Sequence, residues 1–463
     1  MRRSSGLLTA GLLLCVLAVA FEQMAVAAAM PAAAADLGDL ELYAWAFTAM
    51  MIPQVVAIAI AGRWADRHGP LRPLGWGLGL FAVGLVLAAL ATSMTMLLVG
   101  RAVQGLGAGG ISLALMVVTG RAYDPAHRAR VMTWFSACWV LPSFIGPVIA
   151  AWLSENISWH WVFWSVLPLV AIGAVCVITG LRRIDVPGTD ADLDQVPVWA
   201  AVVVAVGAAL FQVAGQELTG WSLPAAVLAV AALAWGIPPL MPRGFTVPGS
   251  GLSSTVITRL LIGGSFYAML SFLPLLLVQR GLPLVQAGAV LTLSSTGWLL
   301  GSWAQARSWL MLTRDQIIVS GTLALLGGMS VIAVGSWVPS LGTWVLVAGA
   351  TLTGLGMGLA MASTALVIMQ LSPASDLGRN TSSLQIAEML GNALIAGVAG
   401  TLFAALPTSD GAPLTFGSIG LLLVTTSLVS VLSALRIGSV ANYSAASPKN
   451  YDDRVTGRGG ADG

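Results

Sequence analysis

The chain has 463 residues, of which 57% are hydrophobic and only 9% charged, with a net charge of +2 and a mean hydropathy of +0.89. Soluble domains carry about 25% charged residues, so this composition excludes a soluble globular protein and requires an integral membrane one. A bilayer core of roughly 30 Å needs about 20 mostly apolar residues per helix, and such runs recur up to about residue 437, with no intervening stretch long enough for a soluble domain.

In chain order the apolar segments predict spans over 6–31, 43–62, 73–93, 95–119, 129–153 and 159–181, a pair over 198–216 and 223–241, and six more over 256–278, 285–306, 315–337, 341–371, 380–406 and 415–437. The fold class this implies is an all-α integral membrane protein of fourteen spans, two six-helix halves with two inserted central helices. The expected units are 1–181, 182–243 for the linker and inserted pair, 244–437, and a disordered cytoplasmic tail over 438–463, which is polar and rich in Gly and Ser. The first twenty residues also resemble a signal peptide, with Arg2 and Arg3 ahead of the apolar run. Glu22 and Gln23 interrupt that run just before the small residues of a cleavage site, which favours a retained first helix.

Cytoplasmic loops of membrane proteins collect Lys and Arg. On this span map 19 of the 21 basic residues fall on one side; Arg280 falls opposite and Arg101 lies within a span. Both termini are therefore expected in the cytoplasm, in a cell inner (plasma) membrane, with Arg259 and Arg314 among the cytoplasmic charges. The run "DVPGTDADLD" (185–194) carries the D-x-D-x-D of a calcium loop, but Gln195 and Ala201 stand where that loop needs Gly and Glu, so it reads as a solvated linker. Cys15, Cys138 and Cys176 are scattered through apolar runs. His68, His127 and His160 are too far apart for a metal site, and the aromatics around His160 in "SWHWVFW" read as an interfacial anchor.

Two stretches repeat. "GRWADRH" at 62–68 returns as "GSWAQAR" at 301–307, and "GRAVQGLGAGG" at 100–110 returns as "GATLTGLGMGL" at 349–359, at offsets of 239 and 249 residues. Duplicated halves characterise transporters. The second copies keep the glycines at positions equivalent to 62, 100, 105, 107 and 109 but replace Asp66, Arg101 and Gln104 by Gln305, Ala350 and Thr353, so the second half retains packing and drops chemistry. Gly105, Gly107 and Gly110 formally spell a dinucleotide fingerprint, yet no strand precedes them, and helix packing through small residues explains them. The only Lys, Lys449, lies in "SPKNY", which excludes a Walker ATP-binding loop.

The loop "GRWADRHGPL" with Arg72 resembles the G-x-x-x-D-R-x-G-R loop of the major facilitator superfamily, at Gly62, Asp66, Arg67, Gly69 and Arg72; Trp64 and Pro70 depart from it. The resemblance implies a charged latch that holds the two halves together on the cytoplasmic side when the carrier opens outward. "GRAVQGLGAGG" resembles the family's span 4 motif, and "PSFIGPVIAAW" its span 5 antiporter motif at Pro142, Gly146 and Pro147, with Ala150 and Ala151 in place of a glycine pair. "FEQMAVAAAMP" is similar to the span 1 motif of the 14-span drug:proton antiporters, with Glu22 at the usual Asp.

Charges inside a membrane are costly and mark function. At about 1.5 Å per residue, Glu22 and Arg101 both lie roughly 21 Å from the inner boundary, so they are expected to face each other. Glu22 is read as the coupling carboxylate tuned by Arg101 and Gln104, or else as a fixed partner of Arg101. Glu388 is read as a cavity or secondary proton site, or as a polar contact of Gln385 or Asn392. The functional expectation is a proton-coupled exporter of lipophilic, cationic or neutral compounds working by alternating access, with protons, small molecules and membrane lipids as its partners, no cofactor, no nucleic acid and a monomeric state. Export of an endogenous lipid or natural product, uptake by symport, and a non-transporting sensor or scaffold are the alternatives. No clustered nucleophile and base within the spans suggests an enzyme.

Overall fold

A computed structural model describes residues 2–123, 125–182, 196–216, 221–307, 310–373, 376–406 and 412–440. The acidic linker run 185–194 and the tail beyond 440 lie outside these residues. Fourteen long helices follow the apolar runs: α1 (Arg2–Leu37), α2 (Trp45–His68), α3 (Leu71–Ala89), α4 (Met94–Ala122), α5 (Pro125–Asn156), α6 (His160–Leu181), α7 (Val198–Gln216), α8 (Ser222–Leu240), α9 (Leu252–Gln279), α10 (Leu284–Gln305), α11 (Arg314–Trp337), α12 (Thr343–Leu371), α13 (Leu377–Ala405) and α14 (Pro413–Ala434). Over the described residues thirteen are long and apolar enough to cross a membrane. The 32-residue α5 completes the fourteen. In lipid every backbone polar group must be satisfied internally, which leaves helices as the natural outcome for such runs. The protein is a multi-pass membrane protein.

The helices form two bundles with one packing scheme. In the first, α1 packs on α5 and α6, α3 on α4 and α6, and α2 on α4; in the second, α9 packs on α13 and α14, α11 on α12 and α14, and α10 on α12. Adding eight to each helix number converts one scheme into the other. The bundles meet along two seams related in the same way, α2 with α13 and α5 with α10. The inserted pair breaks the symmetry, because α7 packs on both α2 and α13 and carries α8 on its outer side. The α8 residues Leu223, Val227 and Trp235 are exposed and form lipid-facing surface.

Small residues set how closely the helices approach, since apolar lipid offers no hydrophobic drive for association between apolar helices. A Cβ on Gly105 of α4 would overlap the carbonyl of Met50 in α2, and one on Gly354 of α12 would overlap that of Ser294 in α10. The repeated glycines are thus equivalent contacts of equivalent helices. Gly100 and Gly349 repeat the correspondence, facing Gly84 and Ala88 of α3 and Gly328 and Ile332 of α11.

Two expectations of side-chain placement are corrected here. Arg259, expected as a cytoplasmic charge at the inner edge of the span 256–278, lies about two turns inside α9 and is buried. Arg314 is also buried at the start of α11, where it donates to Gln305 Oε1 at 2.7 Å. In both places the helix begins before the apolar run does, so a charge at the edge of the run ends up inside the bundle.

Candidate functional site

A cavity of about 340 Å³ lies between the bundles, within the range of small-molecule pockets, about 300–1,000 Å³. Its walls come from the halves of the helices nearest the chain termini, with Val16 and Val19 on α1, Met116 on α4, Trp139 on α5, Met361 on α12 and Met389 on α13. Gln23, Gln54, Gln385 and Tyr267 add neutral polar groups. Toward the opposite end the bundles are joined. Tyr43, just ahead of α2, donates its hydroxyl to the Ser271 carbonyl of α9 at 2.7 Å, and its ring lies 5.6 Å from Phe272 and 6.2 Å from Phe403. Thr292 of α10 donates to the Phe144 carbonyl of α5 at 2.9 Å, and Glu155 accepts the Val285 N–H at 3.1 Å.

Glu22 and Arg101, placed at the same depth by residue counting, face each other. Both are buried, and Arg101 donates from one terminal nitrogen to Glu22 Oε1 and to Gln104 Oε1, the latter at 2.9 Å. Its Nε donates to the Ala46 carbonyl of α2 at 2.8 Å. One guanidinium therefore ties α4 to α1 and α2. Glu22 Oε2 and Gln104 Nε2 are buried without a hydrogen-bond partner among the described residues. A narrow void of about 20 Å³ borders Arg101 and shares Gln23, Gln54, Tyr267 and Met389 with the main cavity. The pair thus sits one layer beyond the cavity.

Glu388 lies in the cavity wall itself, the first of its two readings, and its partner is Arg259 in place of the alternative Gln385 or Asn392 contact. Arg259 Nε and its second terminal nitrogen both reach Glu388 Oε2 at 2.9 Å. The first terminal nitrogen donates to the Met361 carbonyl and, at 2.9 Å, to Thr364 Oγ1. A second buried ion pair was hidden in the sequence because Arg259 read as a boundary charge.

The remaining expected site residues fall in two other places. Gly62, Arg67, Gly69 and Arg72 lie at the junction of α2 and α3, with Arg67 and Arg72 exposed and Gly69 at φ +78°, a conformation open to glycine. The Asp66 side chain lies outside the described residues. Pro142, Gly146 and Pro147 are buried in α5. There Gly146 packs against Phe21 and Met24 of α1, while the Pro147 carbonyl packs against Gly288 of α10. This stretch of α5 therefore contacts both the helix carrying Glu22 and the opposite bundle. The Tyr43 contacts carried no sequence signal, because they depend on distant residues meeting at the seam. Among the described residues no cluster of His, Cys, Asp and Glu is arranged to hold a metal ion.

Known proteins share this architecture. The chain is 26% identical over 428 residues to an uncharacterised MFS-type transporter of Mycobacterium tuberculosis, covering 87% of this chain and 60% of that protein. It is 24% identical over 410 residues to the multidrug efflux pump SdrM of Staphylococcus aureus, covering 87% of this chain and 91% of the pump. A 168-residue stretch is 33% identical to multidrug resistance protein 3 of Bacillus subtilis, covering 36% of this chain and 33% of that protein. The chain thus spans about three fifths of the mycobacterial relative and about a third of the Bacillus one. In fold it resembles an auto-inhibited POT family peptide transporter, with a TM-score of 0.68 at 18% identity over 95% of this chain and 98% of that one. The profile of the Major Facilitator Superfamily matches residues 12–396, and the chain belongs to that superfamily of membrane transporters.

Proposed function

We propose that the protein is a proton-coupled exporter of small lipophilic compounds that exchanges protons for substrate by alternating access between its two bundles. The observation that carries this reading is the Glu22–Arg101 pair, buried one layer from a cavity of ligand size. An ionised carboxylate without a counter-charge is not sustained in a dry membrane interior. Moving Arg101 away from Glu22 therefore requires a proton on Glu22, and a proton on Glu22 releases Arg101 from α1. Because Arg101 also holds the Ala46 carbonyl, the charge state of one side chain bears on how α1, α2 and α4 sit together. Multidrug pumps among the relatives support the substrate class.

The one-sided distribution of Lys and Arg supports cytoplasmic termini. In that orientation the conformation described here faces inward, its outer end shut by Tyr43, Thr292 and Glu155. Both bundles complete the cavity within one chain, which supports a monomeric carrier. The exposed loop at Arg67 and Arg72 lies where a cytoplasmic latch between bundles would act.

The test is transport by the purified protein in liposomes with an imposed pH gradient, screened with fluorescent lipophilic dyes. Wild type should accumulate dye against its gradient while protons move the opposite way, and Glu22→Gln should abolish the pH dependence while dye still equilibrates. Full gradient-driven transport by Glu22→Gln would leave the pair a structural tie. Movement of dye and protons in the same direction would establish symport.

A further inference from the structure

Among the described residues that line the main cavity, Arg259 and Glu388 are the charged ones, so the wall carries no net charge. The rest is apolar or neutral: Gln23, Gln54, Gln385 and Tyr267 offer hydrogen bonds but no charge to neutralise an ion. The pair is also unevenly used. Arg259 donates from Nε to Glu388 Oε2 and from its first terminal nitrogen to the Met361 carbonyl and Thr364 Oγ1, while its second terminal nitrogen lies 2.9 Å from the same Oε2. Glu388 Oε1 accepts no hydrogen bond among the described residues, and one N–H of Arg259 remains. The cavity wall thus presents a free acceptor beside a free donor, with Arg259 held by α12 and Glu388 held by Arg259.

We propose that the Arg259–Glu388 pair is the ligand-recognition subsite of the cavity, taking neutral or zwitterionic compounds with an N–H donor near an acceptor in preference to net cations. The inference rests on the transport reading and narrows its substrate class. A net cation leaves water for a site whose charges already cancel, so its desolvation is met by hydrogen bonds alone. A zwitterion sets its positive end on Oε1 and its negative end by the remaining Arg259 N–H, matching the dipole of the pair. Met116, Met361 and Met389 supply an adaptable apolar surface for the remainder of the ligand.

The test is equilibrium binding without any ion gradient, so loss of proton coupling does not touch it and its failure leaves proton coupling standing. Rhodamine 110, a zwitterion near neutral pH, and rhodamine 123, its cationic methyl ester, share one ring system and report binding by fluorescence anisotropy to the full-length protein in nanodiscs. Wild type should bind rhodamine 110 about tenfold more tightly than rhodamine 123. Glu388→Gln leaves a positive site and should widen that ratio; Arg259→Gln leaves a negative one and should reverse it. A structural role for the pair would move both dyes together. If Arg259→Gln does not yield monodisperse protein, Glu388→Gln alone decides the direction. Equal or tighter wild-type binding of rhodamine 123, a ratio unmoved by the variants, or no measurable binding of either dye would overturn the proposal.

Discussion

Arg101 of α4 pairs with Glu22 of α1 in the buried core of the first bundle, and the same guanidinium holds the Ala46 carbonyl of α2 and the Gln104 side chain. Removing the cation strands a buried carboxylate, whereas removing the carboxylate leaves Arg101 with two acceptors. Arg101→Gln should therefore cost about 3–5 kcal/mol and Glu22→Gln less. The Glu22→Gln/Arg101→Gln double variant should be more stable than Arg101→Gln alone. Thermal unfolding of the four proteins in one detergent closes the cycle, and additive effects would show that the two side chains are not coupled.

At the seam opposite the termini, Tyr43→Phe keeps the aromatic contacts with Phe272 and Phe403 but deletes the hydrogen bond to Ser271. A bond of that kind is worth about 0.5–1.5 kcal/mol, enough to raise the population opened at that end about two- to tenfold. Spin labels at Leu40→Cys and Leu282→Cys should show a larger long-distance fraction in the Tyr43→Phe background.

Gly105 and Gly79 make opposite predictions from the same substitution. A methyl at Gly105 meets the Met50 backbone, while one at Gly79 in α3 meets nothing within 4 Å. Gly105→Ala should destabilise by about 1–3 kcal/mol through overpacking. Gly79→Ala should be neutral or stabilising by up to about 1 kcal/mol, from reduced backbone freedom. Melting temperatures measured side by side check the pair.

Gly69 closes α2 at φ +78° and ψ 166°, a region that side chains avoid. Gly69→Ala should cost about 1–3 kcal/mol in local strain, and because the neighbouring Arg67 and Arg72 are exposed, the change should appear as faster hydrogen exchange confined to the α2–α3 junction.

The helices were legible in the sequence because a bilayer allows so few backbone solutions. Each apolar run, bounded by charge or by Pro and Gly, became a helix that extends to or beyond the expected span at most ends, and the repeated glycines of 100–110 and 349–359 marked equivalent contacts. Depth along a helix follows from residue counting, so the meeting of Glu22 with Arg101 was also legible. Arg259 shows where this reading stops. An arginine at the margin of an apolar run looks the same whether the helix starts before it or after it, and the sequence around it names no carboxylate partner.

Composition and periodicity alone therefore determined that this chain crosses the membrane fourteen times in two related bundles, since those properties depend on local solvation and helical rise. Tertiary structure alone decided that Arg259 pairs with Glu388 in the cavity wall, that Arg101 ties three helices, and that Tyr43 joins the bundles at the far end. Those contacts join residues 55 to 228 positions apart, and their geometry is set by how whole helices pack, which no local pattern of residues encodes.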